Sequence, residues 1–349
     1  MSDKSGPSVY SLAGKTTIVL GVALGILVPL ILLGYAVSAL FMAFGGVLFA
    51  VFLRMLAGLV KRVVPLGEGM ALGLVVLTLI ALGILTGMWM APRISEEFGE
   101  LADQLPKSID HLKQRAEHSP WGRWIVRTSQ RTSSNGGETL KMGQTLASLV
   151  LDGVGALVIV LFLGLYFAAS PYRYLDGVVR LLPMDRRPHV RAVLIDAGQS
   201  LTRWLFGRLV AMTFVGVATG LALMLMGIPL AFVLGLLAGL FGFIPYIGPA
   251  VSAFPALLLA LEQQGAHSAL WVVAVYLGVQ TVQDYMLTPL IQQRMVSLPP
   301  VLTIMSQLLA GIWAGPIGVT FAAPLAVVLM VLVQRLYIER YLGDPGQDE

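Results

Sequence analysis

The hexapeptide Ile244-Pro245-Tyr246-Ile247-Gly248-Pro249 interrupts an apolar stretch, residues 230–262, that is too long for one membrane span. A second interruption, Ala314-Gly315-Pro316-Ile317-Gly318, divides a second long stretch, 301–333. The same tetrapeptide, Leu-Leu-Ala-Gly, precedes both, at Leu236–Gly239 and Leu308–Gly311. Both are followed by Ala-x-Pro, ending at Pro255 and Pro324. Broken backbone inside lipid exposes polar groups that only protein or a cavity can satisfy. Paired breaks at corresponding places point to a transporter's site.

Each arm beside a break holds about 14 residues, or roughly 21 Å of helix. That is short of a hydrocarbon core about 30 Å thick. Two such arms form a hairpin that dips in and returns. The rival count makes each stretch one long tilted helix or two thin spans.

Composition agrees with a membrane protein. The 349 residues are 57% hydrophobic and 12% charged, and mean hydropathy is +0.82. Soluble domains carry roughly 25% charged residues. There is no cysteine, which excludes disulfides and thiolate chemistry. Ala13-Gly14-Lys15-Thr16-Thr17 resembles the end of a phosphate-binding loop, but Val9 stands where that loop needs glycine. The net charge of +4 reads as membrane topology, not nucleic-acid binding.

Spans are expected near 16–33, 35–53, 70–91, 146–169, 209–226 and 270–290. Ile94, Phe98, Leu101, Leu105, Ile109 and Leu112 form a helical stripe outside the membrane, with a kink at Pro106. Arg173, Arg180, Arg186, Arg187, Arg191, Arg203 and Arg208 outnumber Asp176, Asp185 and Asp196. Basic loops face the cytoplasm. This assigns there 54–68, 170–208 and the tail. The insert at 93–142, with eight basic and seven acidic residues, is assigned outside.

The sequence therefore predicts an all-α polytopic membrane protein. It would have about six full spans plus two re-entrant helical hairpins in an inverted repeat, with extramembrane helical segments. Its divisions are a tail at 1–15, three spans over 16–92, an extracytoplasmic insert at 93–142 and a fourth span at 143–169. An Arg-rich cytoplasmic segment at 170–208 follows. Then come a transport unit at 209–334 and a cytoplasmic tail at 335–349.

Gly227-Ile228-Pro229, Gly235–Gly239, the hexapeptide, Gln280, Asp284, Pro289, Leu298, Pro300, Gly311, Gly315-Pro316, Gly318 and Ala323-Pro324-Leu325 together resemble the signature of the autoinducer-2 exporter-like family of bacterial permeases. The resemblance covers nearly the whole chain. Gln293-Arg294, Leu298-Pro299-Pro300 and Tyr285 depart from the family's usual residues. The resemblance implies a multi-pass carrier of the bacterial inner membrane, a homo-oligomer (a pentamer by family expectation) and transport driven by an ion gradient. Some relatives are described as sodium or lithium/proton antiporters.

Candidate path residues are of two kinds. Asp284 is a carboxylate in an otherwise apolar span, where ionisable groups are expensive and face a cavity, an ion or a relay. Gln280 lies four residues away on the same helical face, and Gln283 points partly elsewhere. Asp284 either contacts solute or coupling ion, or pairs structurally with Arg294 or hairpin backbone. At the breaks, Gly242, Gly248, Gly315 and Gly318 allow positive φ, and Pro245, Pro249 and Pro316 fix the bend. Tyr246 adds an amphipathic ring. Pro289 and Gln307 complete the set. Unwound backbone there would face the solute.

Gly235-x-x-x-Gly239 and Gly311-x-x-x-Gly315 read as helix-packing motifs. Asp152 reads as interfacial. His111, His118, His189 and His267 are scattered, so no metal site and no cofactor is expected, nor any enzyme chemistry. The favoured function is a secondary transporter in the lipid bilayer that exports a small polar organic solute by alternating access. A cation/proton antiporter and a non-transporting scaffold are the alternatives.

Overall fold

A computed structural model describes residues 37–117, 138–287, 299–340 and 342. The described residues are helical and contain no strand. Helix α1 is Val37–Val63. It is followed by α2, Glu68–Glu117, and α3, Glu138–Ala169. A bend of 87° at Ser170 leads into the short α4, Pro171–Arg180. Next come α5, Arg187–Leu225, α6, Ala231–Phe241, and α7, Ile247–Gln263. Helix α8, Ala266–Val282, ends in a π-helical turn, Gln283–Leu287. Helix α9 is Pro300–Leu332, continued by a second π turn, Val333–Ile338.

Among the described residues four helices are long and apolar enough to cross a membrane, the folded-back α9 counted with them, and the bent α3–α4 pair adds a fifth candidate. The first expected span, 16–33, lies outside the described residues. The sixth, α8, has 17 residues, about 26 Å of helix.

Three expectations about boundaries change. Arg54, Lys61 and Arg62 were expected in a loop, yet α1 continues through all three. Arg54 is held there by Glu68 at 2.9 Å and the Ala168 carbonyl at 3.1 Å. The third span and the outer stripe are one helix, since α2 runs unbroken past residue 93. The Arg-rich segment and the fifth span are likewise one helix, α5, whose 39 residues extend about 58 Å. Its first half therefore projects beyond a bilayer core. There Arg191 pairs with Asp176 at 3.3 Å. Arg187 donates to the carbonyls of Leu182 and Arg180 and so caps α4.

Antiparallel packing orders the second half of the chain. On α5, Gly216 and Gly220 meet Gly239 and Gly235 of α6 backbone to backbone. A Cβ added at Gly235 would lie 2.6 Å from the Gly220 Cα. The packing reading of Gly235-x-x-x-Gly239 is thus realised, against a partner pair in α5. Gly311 instead meets Val319 of its own hairpin. Helices α7 and α8 also run antiparallel. Tyr276 donates to the Ser252 carbonyl at 3.1 Å, and the two residues lie nearly equidistant from the Gln264-Gly265 turn. Leu223, Leu234, Leu259 and Val272 close the core of this unit.

Both breaks are hairpins. A Cβ on Gly248 would overlap the Phe241 carbonyl across the first, and one on Gly318 would overlap the Ala310 carbonyl across the second. In a straight helix residues 310 and 318 would stand about 12 Å apart. The helical trace of α9 is folded back at Gly315, whose φ of 58° and ψ of −143° are not helical. The second arm then returns along α5 toward its N-terminal end. Phe321 and Val328 pack with Leu201 and Leu205, and Arg335 reaches Asp196 at 3.8 Å. The first hairpin opens toward the other end of α5. The two hairpins are inverted relative to one another.

Candidate functional site

Equal arm lengths bring three distant segments to one level. Helices α7 and α8 both contain 17 residues and run antiparallel, so Asp284 lies level with Tyr246. The α5–α6 glycine seam, extended by two turns, places Arg208 beside the same turn. Its Nε donates to the Phe243 carbonyl at 3.2 Å, and the indole of Trp204 stacks edge-on to Phe243 at 5.9 Å. From the second hairpin, Gln307 Nε2 donates to the Pro245 carbonyl at 3.0 Å. Gln307 is only 2% exposed, so this bond is shielded from competition.

The turn itself is strained. Tyr246 has φ 63° and ψ −51°, and the Ile247 N–H bonds the Pro245 carbonyl at 2.7 Å. These are the marks of a γ-turn of the rarer hand. Among the described residues only Tyr246 and Leu230 have positive φ without being glycine. Such strain persists where the surroundings over-determine it, and it clusters at functional sites. The Tyr246 ring is half exposed.

Asp284 sits in the π turn after α8, a feature often found at functional positions. Gln280 Nε2 donates to its Oδ1 at 3.1 Å, and Gln283 Nε2 reaches the same oxygen at 3.4 Å. The same-face relation of Gln280 and Asp284 is therefore realised, and Gln283 contributes a longer contact. The carboxylate and the Tyr246 phenol both lie within electrostatic reach of the Arg208 guanidinium. No ion pair joins Asp284 to Arg208.

The glycine expectation is corrected. Positive φ was expected at Gly242, Gly248, Gly315 and Gly318, but only Gly315 has it. Gly248 and Gly318 serve close approach of the arms, Gly242 has φ −51°, and Tyr246 carries the turn. Pro249 lies in the first turn of α7, and its carbonyl accepts the Ser252 hydroxyl at 3.1 Å. Pro316 opens the second arm of α9 directly after Gly315, where its missing N–H costs little.

The first hairpin's tip meets Gln307, midway along an arm of the second. One further expectation shifts: the tip backbone is not simply open, because Arg208 and Gln307 occupy the Phe243 and Pro245 carbonyls. Asp152 has no described side chain, and Pro289 and Arg294 lie outside the described residues. Arg208 was counted with the solvated arginines, yet it is half-buried at the tip. Its sequence signal was its place at the very start of the apolar run 209–226.

An apolar groove of about 690 Å³ follows the α5–α6 seam, from Glu97 and Met224 to Leu209 and Leu240 beside the tip. Glu97 and Thr213 are its polar side chains. Among the described residues no group of acidic and histidine side chains is arranged to hold a metal.

The model of the AI-2E family transporters matches residues 18–338. The chain belongs to the AI-2E transporter family. It is 25% identical over 310 residues to YueF of Bacillus subtilis, covering 84% of this chain and 83% of that protein. It is 25% identical over 264 residues to YhhT of Escherichia coli K12, covering 74% of each. It is 32% identical over 203 residues to the permease PerM of that strain, covering 56% of this chain and 57% of PerM. All three are provisionally named for transport. The chain is thus a polytopic member of a membrane transporter family, as the IPYIGP block and its companions implied.

Proposed function

We propose that this protein is a secondary transporter of the bacterial inner membrane, moving a small polar organic solute outward by alternating access along an ion gradient. The observation that carries the proposal is the Gln307–Pro245 bond, which ties two inverted hairpins together beside Arg208 and Asp284. Inverted hairpins with a polar cluster between them suit a solute that must be reached from either face in turn. The transport unit would span 209–334, with α1 to α3 as scaffold. The N-terminal tail, the Arg-rich half of α5 and the C-terminal tail would be cytoplasmic. Much of the apolar face of α2, including Leu77, Leu85 and Met88, is exposed, which suits lipid and neighbouring copies in a homo-oligomer.

Asp284 supports a second reading, cation/proton exchange. Both amide contacts fall on Oδ1, and Oδ2, which has no partner among the described residues, suits a proton or cation. Reconstitution with and without a pH gradient separates the two. Solute exchange that Asp284→Asn uncouples from the gradient supports solute transport. Sodium-driven proton movement with no organic solute present favours the antiporter. Asp284→Asn with unchanged coupling and flux would remove this acid from either mechanism.

A further inference from the structure

We infer that the solute carries a negative charge, and that Arg208 is the residue that selects it. This rests on the transport reading above and names the substrate class of the same cluster.

The Arg208 guanidinium has five N–H donors. In this structure one, at Nε, is spent on the Phe243 carbonyl. The terminal nitrogens have no hydrogen-bond partner among the described residues. Asp284, the acid nearest in charge, gives both of its contacts through Oδ1 to Gln280 and Gln283 and makes no ion pair with Arg208. An arginine in a membrane segment whose two terminal nitrogens have no partner among the described residues is an expensive arrangement. A guanidinium fork matches a carboxylate or phosphate with two parallel bonds. The Nε bond fixes the plane of the fork, and the edge-on Trp204–Phe243 contact holds the carbonyl that fixes it.

The surrounding groups suit a small organic anion. The amide of Gln280 and the half-exposed phenol of Tyr246 supply donors and acceptors for hydroxyl or carbonyl groups. A cation would meet Arg208 as a repulsive neighbour, and a neutral solute would leave its terminal nitrogens unused. The class is a small carboxylate or phosphate ester bearing further oxygens.

Counterflow in vesicles containing the full chain tests this. The probes are radiolabelled pyruvate, succinate and glycerol 3-phosphate, with ribose, glycerol and choline as neutral and cationic controls. Wild type is expected to exchange at least one anion. Arg208→Gln should lower that exchange at least about tenfold, the scale of one lost bond to a charged group. Arg208→Lys should retain part of it, because charge survives but the fork does not. Arg208→Lys also guards against misfolding of the Gln variant, with gel filtration as the check on both. The inference is overturned if wild type exchanges only neutral or cationic probes, or if Arg208→Gln exchanges the anion at the wild-type rate. The first of these leaves transport itself standing. Vesicles that move no probe of any class end both readings.

Discussion

Gln307 and Pro245 lie 62 residues apart and belong to hairpins that open in opposite directions, yet an amide–carbonyl bond of 3.0 Å joins them. The bond is buried at the side chain that donates it, and its acceptor already receives the Ile247 N–H. It is a clasp between the two hairpins, placed at the strained turn of the first.

Gln307→Leu keeps the volume and removes the clasp. Interhelical hydrogen bonds in membranes contribute about 0.6–2 kcal/mol. The acceptor keeps one partner, so the loss of stability should fall at the low end. Exchange should drop by more than stability does, because the hairpins lose their mutual register. Thermal unfolding in detergent and vesicle counterflow on the same preparation check this. A variant with unaltered exchange would show the clasp to be packing alone.

The glycines at the arms offer a sharper contrast. At Gly248 and Gly318 an added methyl would overlap a backbone carbonyl, which cannot rotate away. Gly248→Ala and Gly318→Ala should each cost about 1–3 kcal/mol, the scale of overpacking, and lower the unfolding temperature. Gly58→Ala meets nothing within 4 Å and should be neutral or slightly stabilising in its helix. Equal melting of all three variants would contradict the hairpin geometry.

Tyr246→Gly separates strain from function. The tyrosine holds φ 63° and ψ −51°, a conformation costing on the order of 1–3 kcal/mol outside glycine. Glycine relieves it but removes the ring, which is half exposed and buries little. The variant should melt at or above the wild-type temperature while its exchange falls. Loss of both together would mean that the ring is a packing element.

The breaks were legible because proline and glycine act locally. Pro245, Pro249 and Pro316 each withhold a backbone donor, and Gly315 admits a non-helical φ, whatever surrounds them. The arm length argument needed only rise per residue, and the inverted order followed from it. Asp284 was legible because an acid in an apolar run is rare. Arg208 was not, since seven arginines occur in one segment and composition treats them alike. What distinguishes it is tertiary: α5 is unbroken, so the last arginine of the run is carried onto the level of the tip. The α5 glycines that receive Gly235 and Gly239 were hidden for the same reason. A small-residue motif announces close packing without naming its partner. Positive φ fell on Tyr246, while Gly248 serves the close approach of the arms.

Glu97 joins the long helix α2 to the first hairpin. Its Oε2 accepts the Val233 N–H at 3.3 Å, in the first turn of α6. That helix starts at Leu230 in the left-handed conformation with no side-chain cap of its own. The first N–H groups of a helix lack internal partners, and a carboxylate there also meets the positive end of the helix dipole. Glu97 therefore does for α6 what a cap residue does elsewhere, but from another helix. Glu97→Ala should cost about 0.5–2 kcal/mol, the range for losing a cap. Glu97→Gln keeps an acceptor oxygen and should cost less, giving up mainly the charge. Because α6 is the descending arm of the hairpin, Glu97→Ala should also speed hydrogen exchange at its first amides while leaving α7 unchanged. Mass-spectrometric exchange on peptides covering 228–240 and 250–262 reads both effects. Unchanged protection over 228–240 in Glu97→Ala would mean that α2 lies beside the hairpin without holding it.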